Sequence, residues 1–102
     1  MEKRDFERMP AFLEAKLGYA NSFYDALILN LSKNGIYFIV KEYFATGSNI
    51  EILIPSDSKE LKVPFKIVRI SEIDRIYFRF GAELFGTPQE YIKFINCRLV
   101  LN

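Results

Sequence analysis

Apolar and polar residues alternate along most of this chain, and turn-forming residues interrupt the alternation at short intervals. Leu13, Ala15 and Leu17, for example, are separated by Glu14 and Lys16. Successive side chains of a β-strand point to opposite faces, so a period of two predicts half-buried strands. The segments that share the pattern are residues 13–19, 23–31, 36–40, 50–54, 63–67 and 76–82. Short strands at such regular spacing predict a small antiparallel barrel.

The second segment has two candidate faces. Leu27, Leu29 and Leu31 form one of them, and the other turns polar where it reaches Asn30 and Ser32. We expect the leucine face to point into the core, because a core-facing stripe is usually apolar along its whole length.

Turn signals mark the ends of the strands. Asn34-Gly35 predicts a tight turn in which both residues tolerate positive φ. We expect a polar loop over Pro55–Glu60 and a further turn at Glu72-Ile73-Asp74. Arg69 falls in phase with the apolar residues of its strand, which predicts either a β-bulge or the rim of the barrel at that point.

The period changes after Gly86. Thr87-Pro88-Gln89-Glu90 combines a capping box with proline at the first helical position, which predicts a helix over residues 87–100. Its apolar stripe consists of Tyr91, Ile92, Ile95 and Leu99, with Phe94 as a further candidate. The predicted fold is therefore mostly β, a six-stranded antiparallel β-barrel with a C-terminal α-helix that covers a face or an open end.

Composition limits the possible functions. The 102 residues allow one domain, and 14 basic against 13 acidic residues lack the basic excess of a protein that coats nucleic acid. Histidine, the commonest general base, is absent, and no glycine elbow or phosphate loop is present, so we do not expect an enzyme. Cys97 is interpreted as a packing residue or an inert thiol. We expect no cofactor.

The N-terminal segment differs from the rest of the chain. Residues 1–10 are mostly charged and end at Met9-Pro10, which predicts a mobile arm before a barrel domain over residues 11–102. No apolar signal core follows the arm, and no segment is long enough to span a membrane. We therefore expect a cytoplasmic protein without membrane insertion.

Two short motifs combine residues that can recognise a ligand. Arg4 and Arg8 are four residues apart, and a pair of guanidinium forks suits a phosphate or the O6/N7 edge of guanine. Asn30, Ser32 and Gly35 place an amide and a hydroxyl at a strand end, beside a residue without a side chain. Each motif also has an explanation that needs no ligand: the arginine pair can belong to a solvated arm, and the second motif can be an ordinary hairpin turn.

Together the two motifs resemble those of the PilZ domain family, whose members carry RxxxR followed by [DN]xSxxG. Arg4, Arg8, Asn30, Ser32 and Gly35 match all five positions in order. The resemblance implies a bacterial receptor for cyclic di-GMP. It implies that the two arginines bind phosphate and guanine, that Asn30 and Ser32 bind a guanine edge, and that Gly35 permits close approach. Asparagine in place of the more frequent aspartate removes charge assistance from one such bond.

We expect the arm to become ordered on the ligand and to change the surface offered to a downstream protein partner, with an output in motility or biofilm formation. One alternative is a PilZ-like adaptor of pilus assembly or motility that binds no nucleotide. Another is an oligonucleotide-binding barrel that stacks bases on Tyr37, Tyr77 or Phe38, although the balanced charge disfavours a nucleic acid polymer as partner.

Overall fold

The chain forms a closed six-stranded barrel followed by one helix. The computed structural model describes residues 9–56, 59–73, 76–86 and 88–101. Its elements are β1 (Met9–Tyr19), β2 (Ser22–Leu31), β3 (Gly35–Val40), β4 (Asn49–Ser56), β5 (Lys59–Ile73), β6 (Phe78–Leu84) and α1 (Gln89–Leu101). Every pairing is antiparallel, and the strands follow one another around the barrel in the order β1-β2-β3-β6-β5-β4. The predicted fold class is confirmed.

Two three-stranded meanders build the barrel. The strands β1 to β3 and the strands β4 to β6 are each joined in sequence order, because short turns favour antiparallel neighbours. The pairing of β3 with β6 and of β1 with β4 closes the sheet. The closing contact between β1 and β4 is short, since it pairs only Lys16–Gly18 with Glu51–Leu53.

Alternating residues of the strands, together with Tyr91 and Ile95 of α1, form one apolar core. The apolar side chains that are at most 1% exposed are Leu17, Ile28, Leu31, Phe38, Ile52, Ile54, Val63, Phe65, Ile67, Phe80, Tyr91 and Ile95. This interior is continuous and needs no disulfide, since its aromatic and branched side chains bury a large apolar area.

The predicted core face of β2 is wrong over part of the strand. Ala26 and Ile28 are buried, whereas Leu27 and Leu29 are only half-buried and face outward. The register with β3 shifts between Ile28 and Asn30, so Leu29 is one residue more than β3 can pair. Such a bulge reverses the alternation of faces. Leu31 is therefore buried as expected, although the leucines before it are not.

The tight turn predicted at Asn34-Gly35 is present, because the Ser32 N–H donates to the Gly35 carbonyl across it, but neither Asn34 nor Gly35 has positive φ. Ala20 and Asn21 have φ of 51° and 66°, and they join the paired residues Tyr19 and Ser22. Two successive residues with positive φ match the twist of the flanking strands in a two-residue hairpin.

Two of the predicted loops are shorter than expected. Pro55 and Ser56 pair with Glu60 and Lys59, so β4 and β5 extend into the predicted loop. Residues 57–58, between the two strands, lie outside the described residues. Similarly, Glu72 and Ile73 of the predicted turn still belong to β5, and Asp74 lies outside the described residues.

Arg69 lies where β5 is irregular. The register between β5 and β6 shifts between Ile67 and Arg69, which confirms the first of the two predicted explanations, a β-bulge. A second shift follows between Ile70 and Glu72. The two bulges turn a 15-residue strand around the barrel.

The helix α1 begins at Gln89, one residue after Pro88, and Thr87 of the predicted capping box lies outside the described residues. Tyr91 and Ile95 carry the buried part of the predicted stripe. Cys97 is exposed, in line with a thiol that has no packing role. Among the described residues no helix has the length and apolar character needed to span a membrane.

Candidate functional site

Asn30, Ser32 and Gly35 lie together at the hairpin that joins β2 to β3. Asn30 is half-buried and pairs with Tyr37 on β3 and with Pro10 on β1. Ser32 follows the end of β2, and Gly35 is the first residue of β3. The structure thus brings the three residues of the second motif to one end of the barrel, at the junction of three strands.

The Ser32 hydroxyl has partners within this hairpin. Its Oγ donates to Oδ1 of Asn34 at 3.0 Å, and the backbone N–H of Ser32 donates to the carbonyl of Gly35 at 2.9 Å. Ser32 is only 7% exposed. A hydroxyl that donates one bond still has lone pairs to accept another, so Ser32 can receive a bond from a ligand N–H without giving up its bond to Asn34.

Gly35 is required by packing rather than by an unusual backbone angle. A Cβ placed on Gly35 would lie 2.8 Å from the carbonyl oxygen of Ala82 on β6. That contact is with backbone, which cannot move aside as a flexible side chain would. The absence of a side chain at Gly35 therefore allows β3 and β6 to approach each other where the hairpin begins.

Tyr91 of α1 holds the hairpin from inside. Its hydroxyl donates to the carbonyl of Ser32 at 2.7 Å, and its ring meets Phe65 edge to face, with centroids 5.7 Å apart. Burial raises the pKa of Tyr91 above its ordinary value. The helix thus fixes the backbone of the second motif.

Sequence reasoning placed Tyr91 only on an apolar stripe. The signal that it missed is the hydroxyl itself, since a buried tyrosine hydroxyl usually has a hydrogen-bond partner.

Arg4 and Arg8 lie outside the described residues. The strand that follows them, β1, is part of the described structure. Met9 and Pro10, at the end of the predicted arm, already belong to β1. Met9 pairs with Leu31, the residue between Asn30 and Ser32, and the chain therefore enters the barrel beside the second motif.

The aromatic residues suggested for base stacking differ in their exposure. Phe38 is fully buried and contributes to the core, which rules it out as a stacking surface. Tyr37 and Tyr77 are half-buried. Tyr37 lies on the outer face of β3, where the guanidinium carbon of Arg69 is 5.1 Å from the centroid of its ring.

A protein-family model described as the PilZ domain matches residues 2–96. The chain belongs to the PilZ domain family. The matched range of this PilZ domain includes Arg4, Arg8, Asn30, Ser32 and Gly35, so both motifs lie inside it.

Solved structures share the fold of this PilZ domain. The PilZ domain of YcgR from Escherichia coli with c-di-GMP has a TM-score of 0.74 at 15% identity, over 93% of this chain and 87% of that chain. The Bacillus subtilis inhibitor of motility MotI/DgrA has a TM-score of 0.74 at 16% identity, over 93% of this chain and 48% of that chain. The K. pneumonia MrkH–c-di-GMP complex has a TM-score of 0.74 at 11% identity, over 98% of this chain and 52% of that chain.

At these identities the likeness is one of fold. This PilZ domain spans about half the length of MotI/DgrA and of MrkH. A search among curated proteins finds no match.

Proposed function

We propose that this PilZ domain is a receptor for cyclic di-GMP that acts by binding, without a catalytic step, in the bacterial cytoplasm. Arg4, Arg8, Asn30, Ser32 and Gly35 form the proposed site. Two of the solved structures that share its fold, the YcgR domain and MrkH, contain c-di-GMP. No metal or organic cofactor is part of the proposal.

The observation that carries the proposal is the pairing of Met9 with Leu31. The two motifs are separated by more than twenty residues of sequence, yet the residue that follows Arg8 lies opposite the residue between Asn30 and Ser32. Neighbouring strands are about 4.8 Å apart, so a ligand held by the second motif is within reach of an arginine that adjoins Met9.

The chemistry of these residues fits a guanine dinucleotide. Asn30 offers both an amide donor and an acceptor, and Ser32 offers an acceptor, which together match the N–H and carbonyl groups of a guanine edge. Arginine binds phosphate oxygens and guanine O6/N7 in a bidentate manner. With a net charge of only +1, affinity for an anionic ligand must come from a few placed cations.

We further propose that the arm closes over the ligand and that this closure changes the surface available to a downstream partner protein. Amide hydrogen exchange with and without cyclic di-GMP tests this step. We expect exchange at residues 3–9 to slow when the ligand is bound. Equal protection in the two states would contradict arm closure while leaving ligand binding itself intact.

Isothermal titration with cyclic di-GMP tests the receptor function, using the unaltered chain, Arg8→Ala and Asn30→Ala. Lys62→Ala is a matched control, because Lys62 is an exposed cation on β5 outside both motifs. We expect saturable binding that Arg8→Ala abolishes, Asn30→Ala weakens and Lys62→Ala preserves. If the folded unaltered chain releases no heat and a second method finds no binding, the receptor proposal is wrong and the adaptor interpretation takes its place.

A further inference from the structure

A row of paired residues leads from the second motif across the outer face of the barrel. Asn30 on β2 pairs with Tyr37 on β3, Tyr37 pairs with Gly81 on β6, and Gly81 pairs with Arg69 on β5. Tyr37 points outward, because both of its neighbours along the strand are buried. Side chains at paired positions of neighbouring strands lie next to one another, so these four residues form one continuous strip on the outer side of the sheet, in which Gly81 is covered by its neighbours.

Gly81 makes the strip flat. A Cβ on Gly81 would lie 3.0 Å from Cε1 of Tyr37 and 3.4 Å from Nε of Arg69. The tyrosine ring and the arginine side chain therefore close over the glycine from its two neighbouring strands. A larger residue at position 81 would separate them.

Arg69 is held in place by this arrangement. Its guanidinium carbon is 5.1 Å from the centroid of Tyr37, a cation–π distance. The β-bulge between Ile67 and Arg69 gives Arg69 the outward direction that strict alternation would deny it. Arg69 is an exposed residue. The Arg69 guanidinium is thus held against the Tyr37 ring on an exposed part of the barrel surface.

We propose that Tyr37 and Arg69 form an additional part of the ligand site, in which the Arg69 fork binds O6 and N7 of the guanine that does not contact Asn30. This inference rests on the proposed function. Arg69 is three strands from Asn30, or about 14 Å at the backbone, but its side chain reaches back to the strand beside Asn30. Cyclic di-GMP carries two guanines on one ring of phosphates and sugars, so it can place one guanine at Asn30 and the other at Arg69.

A planar guanidinium on an aromatic ring suits this role better than a lysine would. Arginine presents two parallel N–H donors to the guanine edge, whereas adenine offers an amino donor at the position of O6 and repels one of them. One good bidentate contact of this kind corresponds to about a 5- to 150-fold preference for the correct base. Arg69 is therefore expected to contribute to the choice between a second guanine and an adenine.

The test compares cyclic di-GMP with cyclic GMP-AMP, in which one guanine is replaced by adenine, on the unaltered chain and on Arg69→Gln. We expect Arg69→Gln to lower the preference for cyclic di-GMP about fivefold or more. Arg69→Lys keeps the charge without the fork and should not restore the preference. Lys66→Gln is the matched control, since it removes one exposed cation from the same strand and should leave the preference unchanged.

A variant of Gly81 tests whether the close packing of Tyr37 and Arg69 over this glycine supports the guanine contact. Gly81→Ala should reduce the same preference by displacing Tyr37 and Arg69, with circular dichroism used to establish that the barrel is folded. If Arg69→Gln behaves like Lys66→Gln, or if Arg69→Lys restores the preference, the guanine contact is refuted. If the unaltered chain binds neither nucleotide, the receptor function is wrong and this inference is wrong with it. If the unaltered chain binds cyclic di-GMP and Arg69→Gln leaves its preference unchanged, only this inference is wrong.

Discussion

The hydrogen bond from Tyr91 to Ser32 predicts a measurable cost when one oxygen atom is removed. Tyr91→Phe keeps the ring and its edge-to-face contact with Phe65, but it deletes the donor that lies 2.7 Å from the Ser32 carbonyl. The tyrosine is fully buried, so water does not readily replace the lost donor. The variant therefore isolates the bond between α1 and the second motif.

The expected loss of stability follows from the burial of Tyr91, the hydrogen-bond partner of the Ser32 carbonyl. Leaving a buried acceptor without its donor costs about 1–3 kcal/mol in the free energy of unfolding. For a domain of about 100 residues, 1 kcal/mol corresponds to a change in melting temperature of about 4 °C. Tyr91→Phe should therefore melt about 4–12 °C below the unaltered protein. Tyr43→Phe is the matched control, since Tyr43 is 58% exposed and its edge contact with Phe78 needs no hydroxyl.

The assay is thermal and urea unfolding followed by circular dichroism. A melting temperature of Tyr91→Phe equal to that of Tyr43→Phe would refute the reasoning, because it would show that the Ser32 carbonyl does not depend on this donor. A large loss for both variants would refute it as well, since the effect would then not be specific to the buried hydroxyl.

The difference in stability between the unaltered protein and Tyr91→Phe is expected to depend on pH. Burial raises the pKa of Tyr91 above the ordinary tyrosine value of 10.0, so only the unfolded chain loses this proton as the pH first passes that value. Stability from this group is thus fully present below about pH 10 and declines above it, by at most about 1.4 kcal/mol per pH unit. Tyr91→Phe lacks the group. The difference in stability between the two proteins should therefore shrink above about pH 10, and a constant difference would contradict the assignment.

Three further changes test other parts of the structure by urea unfolding. Gly35→Ala should destabilise by about 1–3 kcal/mol, because its Cβ would collide with the Ala82 carbonyl, and an unchanged midpoint would contradict that packing. Ile28→Ala should cost about 2–5 kcal/mol and Leu27→Ala clearly less, whereas the opposite order would restore the originally predicted face of β2. Ala20→Gly should stabilise by about 0.5 kcal/mol by relieving positive φ, and a loss of stability would argue against that turn.

The placement of Asn30 and Ser32 could be predicted from the sequence. Asn30 and Ser32 were expected at a strand end, and the structure places them there, because the end of the alternation and the Asn34-Gly35 pair are local signals. The reason for Gly35 could not be predicted. It depends on the carbonyl of Ala82, which lies on a strand far along the chain.

The strip formed by Tyr37, Gly81 and Arg69 was not predicted either. Its members come from three strands, and their alignment depends on the register of β3 with β6 and of β6 with β5. Register is set by the whole barrel, including the bulge before Arg69, and a single strand's pattern does not contain it. Sequence reasoning found the irregularity at Arg69 but not the tyrosine on which its side chain would lie.

What the sequence determined by itself is the kind and order of the elements. Alternation with a period of two requires strands, and the signals at Thr87–Glu90 require a helix, because both effects act between near neighbours in the chain. Tertiary structure decided which face of β2 is buried, through the bulge at Leu29. It also joined Tyr91 to Ser32 across 59 residues. Such features arise only when the barrel closes, since closure alone defines an inside, a register and a partner for a buried hydroxyl.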